Sequence, residues 1–432
     1  MRVLHVVEAT IAGVRTHVQA LVAGLDRRRF AQAVACPPQR ENAFGDAQFV
    51  AYLAGAGVPV FDVPMRRSIS PSADLASLRR LIAIMRRERF DVVHLHSSKA
   101  GFLGRLAAAL AGRSAVVYSP HGLAFLGDYG EAERAMYLTL ERVAGRLCDR
   151  IVAVSPGERE VIIQSGIARA EQVACIDLGV HPDPIPAAFD REAQRRALGV
   201  PTGARLIGTV ARATRQKNPL LFVEAAARVL RRDPGAYFVW CGDGELRAQA
   251  EMWAGVRGIE ARCRFLGHRE DAQAILAALD LFWLTSDYES FGLATAEAMA
   301  LRLPVVATDV VGTRDVVAAG ISGMLVPARD PEALAHATID LLRDPARMRS
   351  LGDAGRARVL ERYTLDHMLD ATAKLYDSLF MEQAQRRAGL RGMRTASSSD
   401  RRAAARSAGQ ADRLAACEQR SSTNETAHNY KP

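Results

Sequence analysis

Short runs of consecutive apolar residues alternate with helix-length stretches from residue 1 to about 180, and the same alternation resumes at Leu206. Runs this short predict parallel strands covered on both faces. In the first array they fall at Val3 to Val7, Ala31 to Cys36, Val58 to Val63, Asp91 to Leu95, Ala115 to Tyr118, Arg150 to Val154 and Val173 to Ile176. In the second they begin with Leu206 to Val210 and continue through Val239-Trp240-Cys241, Phe265-Leu266, Leu281 to Leu284 and Leu303 to Thr308. Strands separated by helical segments predict an α/β architecture of two doubly wound sheets. Asp183 to Pro201, rich in proline and charge, reads as the linker between them, so the expected domains are 1–185 and 186–362. Pro331 and Pro345 each suit the first turn of a helix, and Tyr363 to Met381 predicts one more. Residues 385–432 are rich in Ser, Ala and Arg and poor in large apolar side chains, which predicts a disordered basic tail.

Composition narrows the class. With 49% hydrophobic and 24% charged residues in 432, the chain has a globular balance, and no run of 18 apolar residues exists to span a bilayer. Met1-Arg2-Val3-Leu4-His5 is charged too early for a secretory signal and reads as a first strand. Six cysteines without a C-x-x-C pair argue against a zinc knuckle or disulfide framework and for a reducing cytoplasm. The formal charge of +9 is uneven: from Arg386 onward ten Lys or Arg stand against four acids, a surplus of six, leaving +3 for the rest. A nucleic-acid partner is therefore not expected.

Candidate chemistry concentrates in a few turns. Glu289-Ser290-Phe291-Gly292-Leu293 follows an apolar strand and opens a helix carrying Glu297, with Leu303-Pro304-Val305-Val306-Ala307-Thr308 behind it. Gly292 permits close approach of the backbone, and the helix N-terminus favours an anion. Two glutamates at this spacing arise about once by chance in a chain of this length, so the specificity lies in the surrounding residues. Arg212 ends a strand and Lys217 precedes a helix starting near Asn218, two cations suited to a diphosphate. His94 and His96, two apart on a strand, share a face but are too few for a zinc site, and no third ligand lies at a sensible spacing. Leu75, Leu78, Leu81, Ile82 and Met85 recur at helical spacing amid Arg66, Arg67, Arg79, Arg80, Arg86, Arg87 and Arg89. That segment suits a surface helix packed on the sheet and also an anionic membrane surface.

The stretch from Leu284 to Thr308 closely resembles the nucleotide-sugar site of family 4 retaining glycosyltransferases, enzymes of the GT-B fold. Val311-Gly312-Thr313-Arg314-Asp315 and Arg212-x4-Lys217 continue the resemblance, with Asp315 and Ala211 where the family usually has Glu and Gly. His94-Leu95-His96-Ser97-Ser98-Lys99-Ala100-Gly101 and Ser119-Pro120-His121-Gly122 resemble members that assemble bacterial exopolysaccharide, capsule or lipopolysaccharide. The resemblance implies two Rossmann-like domains facing across a cleft, with residues 363–384 crossing back to the first. It assigns Glu297 to ribose, Glu289 with the Ser290, Phe291, Gly292 and Leu293 backbone to the sugar, Arg212 and Lys217 to the diphosphate, and His121 to the reacting carbon. Gly13, Gly242 and the backbone at His268 would flank the donor, Gly13 without the preceding glycine that the family often has, since Ala12 stands there. Leu178 stands where the family usually has Asn. Implied partners are a nucleoside diphosphate sugar, expected to be UDP-linked, and a glycan or lipid-linked sugar acceptor, with peripheral contact at the inner membrane face. No cofactor or metal is expected, which agrees with the absence of any Asp-x-Asp. An epimerase or hydrolase of the same fold, and a non-catalytic subunit docked on the membrane through Arg66 to Arg89, remain as alternatives. The subunit would be expected to lack Arg212, Lys217 or Glu297.

Overall fold

The computed structural model describes residues 1–10, 12–37, 46–66, 68–112 and 114–386. The predicted tail from 387 onward, Arg67 and Cys417 lie outside the described residues. The chain divides into Met1–Tyr376 and Asp377–Pro432, and the architecture below belongs to the first of these.

Seven strands form one parallel sheet: β1 (Arg2–Val7), β2 (Ala31–Cys36), β3 (Val60–Asp62), β4 (Val92–His96), β5 (Ala115–Ser119), β6 (Arg150–Ala153) and β7 (Val173–Cys175), in the order β3-β2-β1-β4-β5-β6-β7. Six form a second: β8 (Leu206–Val210), β9 (Tyr237–Cys241), β10 (Cys263–Gly267), β11 (Leu281–Leu284), β12 (Val305–Thr308) and β13 (Met324–Val326), in the order β10-β9-β8-β11-β12-β13. Both orders reverse beside the first strand of each array, the switch point at which α/β sheets bind ligands outside the carboxyl ends of their strands.

Apolar runs become strands here because helices cover both faces. Leu4, Val6, Val93 and Leu95 are fully buried in the first sheet. In the second, Phe222 packs edge-on against Phe238, Trp240 and Trp283 at ring centroid distances of 6.1, 5.3 and 5.2 Å. Helix starts obey a repeated local rule: Ser155-Pro156, Asn218-Pro219, Asp330-Pro331 and Asp344-Pro345 each pair a side-chain cap with proline in the first turn. The arginine-flanked segment is the helix Pro71–Glu88, and Leu81, Ile84 and Met85 bury its stripe in the core while Leu75 stays exposed.

One expectation needs correcting. The proline-rich linker is shorter than Asp183 to Pro201, because Arg191–Ala197 is a helix capped by Asp190. Arg195, 3% exposed, donates to the Ala278 carbonyl and to Asp280, and Arg191 reaches the same carboxylate at 2.6 Å. Tertiary partners thus draw a charged segment into the second sheet's body. The final helix begins at residue 365 rather than at Tyr363, and it runs to 386. Thr364 pairs in parallel with Val180, with Val180 N donating to the Tyr363 carbonyl and Leu365 N to that of Val180.

Candidate active site

The second sheet's half of the candidate site is assembled from turns after β8, β9, β11 and β12. Gly292, with φ of 93°, caps the helix Leu293–Ala300, a conformation that favours glycine. Gly312 supports this turn from beneath: its amide donates to the Glu289 carbonyl, and a Cβ placed on it would stand 2.5 Å from Phe291 N. Phe291 is buried and meets Tyr363 edge-on at 5.3 Å. The backbone of Ser290 to Leu293 is held from both sides before any ligand arrives.

Lys217 and Glu289, predicted separately, are brought together. The Lys217 ammonium contacts Glu289 Oε1, which also accepts from the Ser286 hydroxyl at 2.6 Å. Thr285 Oγ1 donates to the Lys217 carbonyl at 2.7 Å, tying the two turns. Asn218, at φ 51°, caps the helix Pro219–Leu230 through its side chain and donates to Asp287, which also receives Arg329 at 2.8 Å. Arg212 follows β8 two residues after Val210 and is partly buried. Gly242, at φ 138°, passes so close to the Ala211 carbonyl that no side chain fits there. His268 is exposed at the end of β10.

Glu297 lies on the same short helix, and desolvation pushes its carboxyl up to about 7, with the Gln273 amide favouring the ionised form. Two oxygens nearby in sequence or space, Thr295 Oγ1 and Gln273 Oε1, are buried without a hydrogen-bond partner.

Loops after the carboxyl ends of the first sheet face this assembly. A Cβ built on Gly13 would lie 4.0 Å from Leu293, and one on Gly122 3.8 Å from the Ser290 hydroxyl. His121 and Gly122 both have positive φ, 52° and 117°. Beneath them Glu158 is buried, and burial raises its pKa against the Val154 amide, the Ser290 hydroxyl and the Gly122 amide. Gly157 N donates to Asp315 at 2.8 Å, Gln48 to Glu270 at 2.8 Å, and Arg215 to Asp128 at 2.7 Å. None of these bridging residues except Asp315 stands out in the sequence. In the motif after β4, Lys99 pairs with Asp74 at 2.6 Å and Gly101 lets Tyr118 pack against the helix backbone.

The histidine reading requires a second correction. His94 and His96 are not isolated: His5, His17 and His121 join them, with His5 set opposite His94 by the β1–β4 register. Four elements supply these rings, β1, the helix Ala12–Gly24, β4 and the loop after β5, so no spacing rule could have found the group. Ser97, beside it, has φ 72° and ψ 162°, a backbone state close to glycine-only territory.

Two parallel Rossmann-like sheets whose ligand-binding ends face each other define the GT-B class of glycosyltransferase. Family profiles agree: "Glycosyl transferase 4-like domain" matches residues 12–179 and "Glycosyl transferases group 1" matches residues 190–358. The chain is 30% identical over 324 residues to the Escherichia coli UDP-Gal:alpha-D-GlcNAc-diphosphoundecaprenol alpha-1,3-galactosyltransferase, covering 74% of this chain and 84% of that one. It is 32% identical to the alpha-maltose-1-phosphate synthase of Mycolicibacterium smegmatis, over 67% of this chain and 79% of the relative. The chain belongs to the group 1 glycosyltransferases with a family 4-like N-terminal domain. Among solved structures, Anabaena Alr3699/HepE in complex with UDP and glucose superposes with a TM-score of 0.74 at 23% identity, over 88% of this chain and all of that one. No helix among the described residues is long and apolar enough to cross a membrane.

Proposed function

We propose that this glycosyltransferase moves a hexosyl group from a UDP-sugar, with retention of configuration, onto a lipid-linked glycan in the assembly of a cell-surface polysaccharide. The observation that carries this reading is the convergence of Lys217, Glu289 and the Gly292 helix start, with Gly13 and Gly122 facing them from the other sheet. Glu297 would accept both ribose hydroxyls, and Gly242 and the His268 backbone would flank the base. Glu289 and the backbone from Ser290 to Leu293 would hold the sugar. Arg212, Lys217 and the helix N-terminus would neutralise the departing diphosphate, a task that needs no metal at that position. His121 would stand at the reacting carbon, and a diphosphate oxygen would take the acceptor proton on the face of departure.

The acceptor class rests on the E. coli relative, whose name carries both UDP-Gal and a diphosphoundecaprenol acceptor. Docking at the inner membrane face through the Pro71–Glu88 helix belongs to the same reading. So does the division into domains 1–185 and 186–362 with 363–384 returning to the first, supported by the hydrogen bond of Tyr376 to His94 at 2.6 Å.

Thermal unfolding with UDP, GDP, ADP and CMP, followed by nucleotide release from the matching sugars with and without membrane extract, tests the proposal. A selective rise of the midpoint with UDP and release only with extract are expected. Release without any acceptor would favour an epimerase or hydrolase instead.

A further inference from the structure

The histidine group contains a chain of hydrogen bonds whose direction can be worked out. Gln32 Nε2 donates to the Val22 carbonyl at 3.5 Å, which turns Oε1 toward His5. His5 must then carry its proton on Nε2, 3.1 Å from that oxygen, leaving Nδ1 as an acceptor. His96 Nε2, 3.1 Å from His5 Nδ1, therefore holds the proton of His96. The lone pair of His96 is left on Nδ1, facing His121 Nε2 at 3.1 Å. His94 is fully engaged elsewhere, with Nδ1 on Tyr376 and Nε2 on Ser119.

His17 completes the picture. Its ring lies 4.7 Å from that of His121 and 5.6 Å from that of His96. It is 8% exposed, and both of its ring nitrogens are buried without a hydrogen-bond partner. One nitrogen each of His17, His96 and His121 lies within 4.8 Å of the other two. An alternative grouping of His5, His94 and His96 meets the same distance limit, but its nitrogens are already committed.

We propose that His17, His96 and His121 form a binding site for a borderline divalent cation of the zinc type. Three imidazole donors suit zinc, cobalt or nickel and are poor ligands for magnesium or calcium. A tetrahedral ion bound at about 2.0–2.1 Å separates its ligand atoms by roughly 3.3–3.4 Å, close to the gap already present between His96 and His121. The sequence Val22, Gln32, His5 is the kind of outer hydrogen-bond chain that fixes a metal ligand's tautomer, and it presents the His96 lone pair inward. Three protein ligands leave one position for water or a hydroxyl. The site belongs to the first sheet and is separate from the cations proposed for the diphosphate.

The full chain, stripped with chelator and desalted, should be titrated with Co2+ by visible absorption and with Zn2+ by calorimetry. One equivalent is expected, with a tetrahedral nitrogen–oxygen spectrum that Zn2+ abolishes and Mg2+ leaves untouched. H17Q and H121Q should each weaken binding 100-fold or more, H336A not at all, with folding checked by circular dichroism. Should one of the two variants fail to fold, the other and the wild-type spectrum decide. Absence of stoichiometric binding, binding unchanged in both variants, or a thiolate charge-transfer band implicating the exposed Cys175 would overturn the proposal. His121 is shared with the role proposed above at the reacting carbon; because the readout involves no sugar transfer, loss of metal binding and loss of that role are read separately.

Discussion

At the scale of single residues the donor half separates charge from shape. In the proposed function Arg212 and Lys217 act on a leaving group whose charge grows in the transition state, so R212A should lower turnover 10²-fold or more while UDP affinity changes less. Comparing kcat with the UDP dissociation constant checks this. Glu297 gives a pH prediction. Its folded pKa of about 7 exceeds the ordinary 4.5, so ionisation of this group costs the empty protein stability as pH rises from about 4.5 to 7. Two ribose hydroxyls can donate together to the ionised carboxylate, whereas the protonated carboxyl turns one of its oxygens into a donor. UDP affinity should therefore weaken about tenfold from pH 8 to pH 6, and the E297Q variant should bind weakly with a flat profile across that range.

At the scale of elements the close approach of Gly312 to the Glu289–Phe291 turn decides whether the site is preformed. The clash in G312A would be with the Ser290–Phe291 peptide itself, costing about 1–3 kcal/mol and shifting the turn. A raised donor KM together with a lower melting temperature is expected; an unchanged KM would mean the turn yields without consequence. The elements also show what a sequence can and cannot disclose. The donor turns were legible because each is local: strand, glycine and helix start are adjacent in the chain, and their chemistry travels with them. Strand β13, Met324–Val326, was missed because it is three residues long with only Val326 fully buried. The helix Arg191–Ala197 was hidden by its charge, which partners distant in sequence such as Asp280 and the Ala278 carbonyl make tolerable. The acceptor-side histidines illustrate the harder case. His5, His17, His94, His96 and His121 become neighbours through sheet order and register, and no local pattern encodes that.

At the scale of the whole molecule, glycines sit at two places where the bodies of the two sheets touch. A Cβ on Gly179 would lie 2.7 Å from Leu365 Cα and from the Thr364 carbonyl, both backbone atoms where the chain's two crossings run side by side. A Cβ on Gly157 would meet side-chain ends, Val311 Cγ1 at 2.5 Å and Asp315 Oδ2 at 2.8 Å, which can move. G179A should therefore melt about 2–4 °C lower per kcal/mol of strain, whereas G157A should melt near the wild type and show its effect in kcat. Calorimetry beside steady-state kinetics separates the two. The paired crossings at Val180 and Thr364 have another outcome, for synthesis on the ribosome. Phe30 packs edge-on against Tyr376 at 5.9 Å, and His94 bonds to the same tyrosine, so the first sheet's surroundings are completed by residues translated only after the entire second sheet. Domains usually form in order as the chain emerges. This one leaves the body of the first sheet unfinished, with Phe30 and His94 awaiting their cover, until the whole second sheet and Tyr376 have been made.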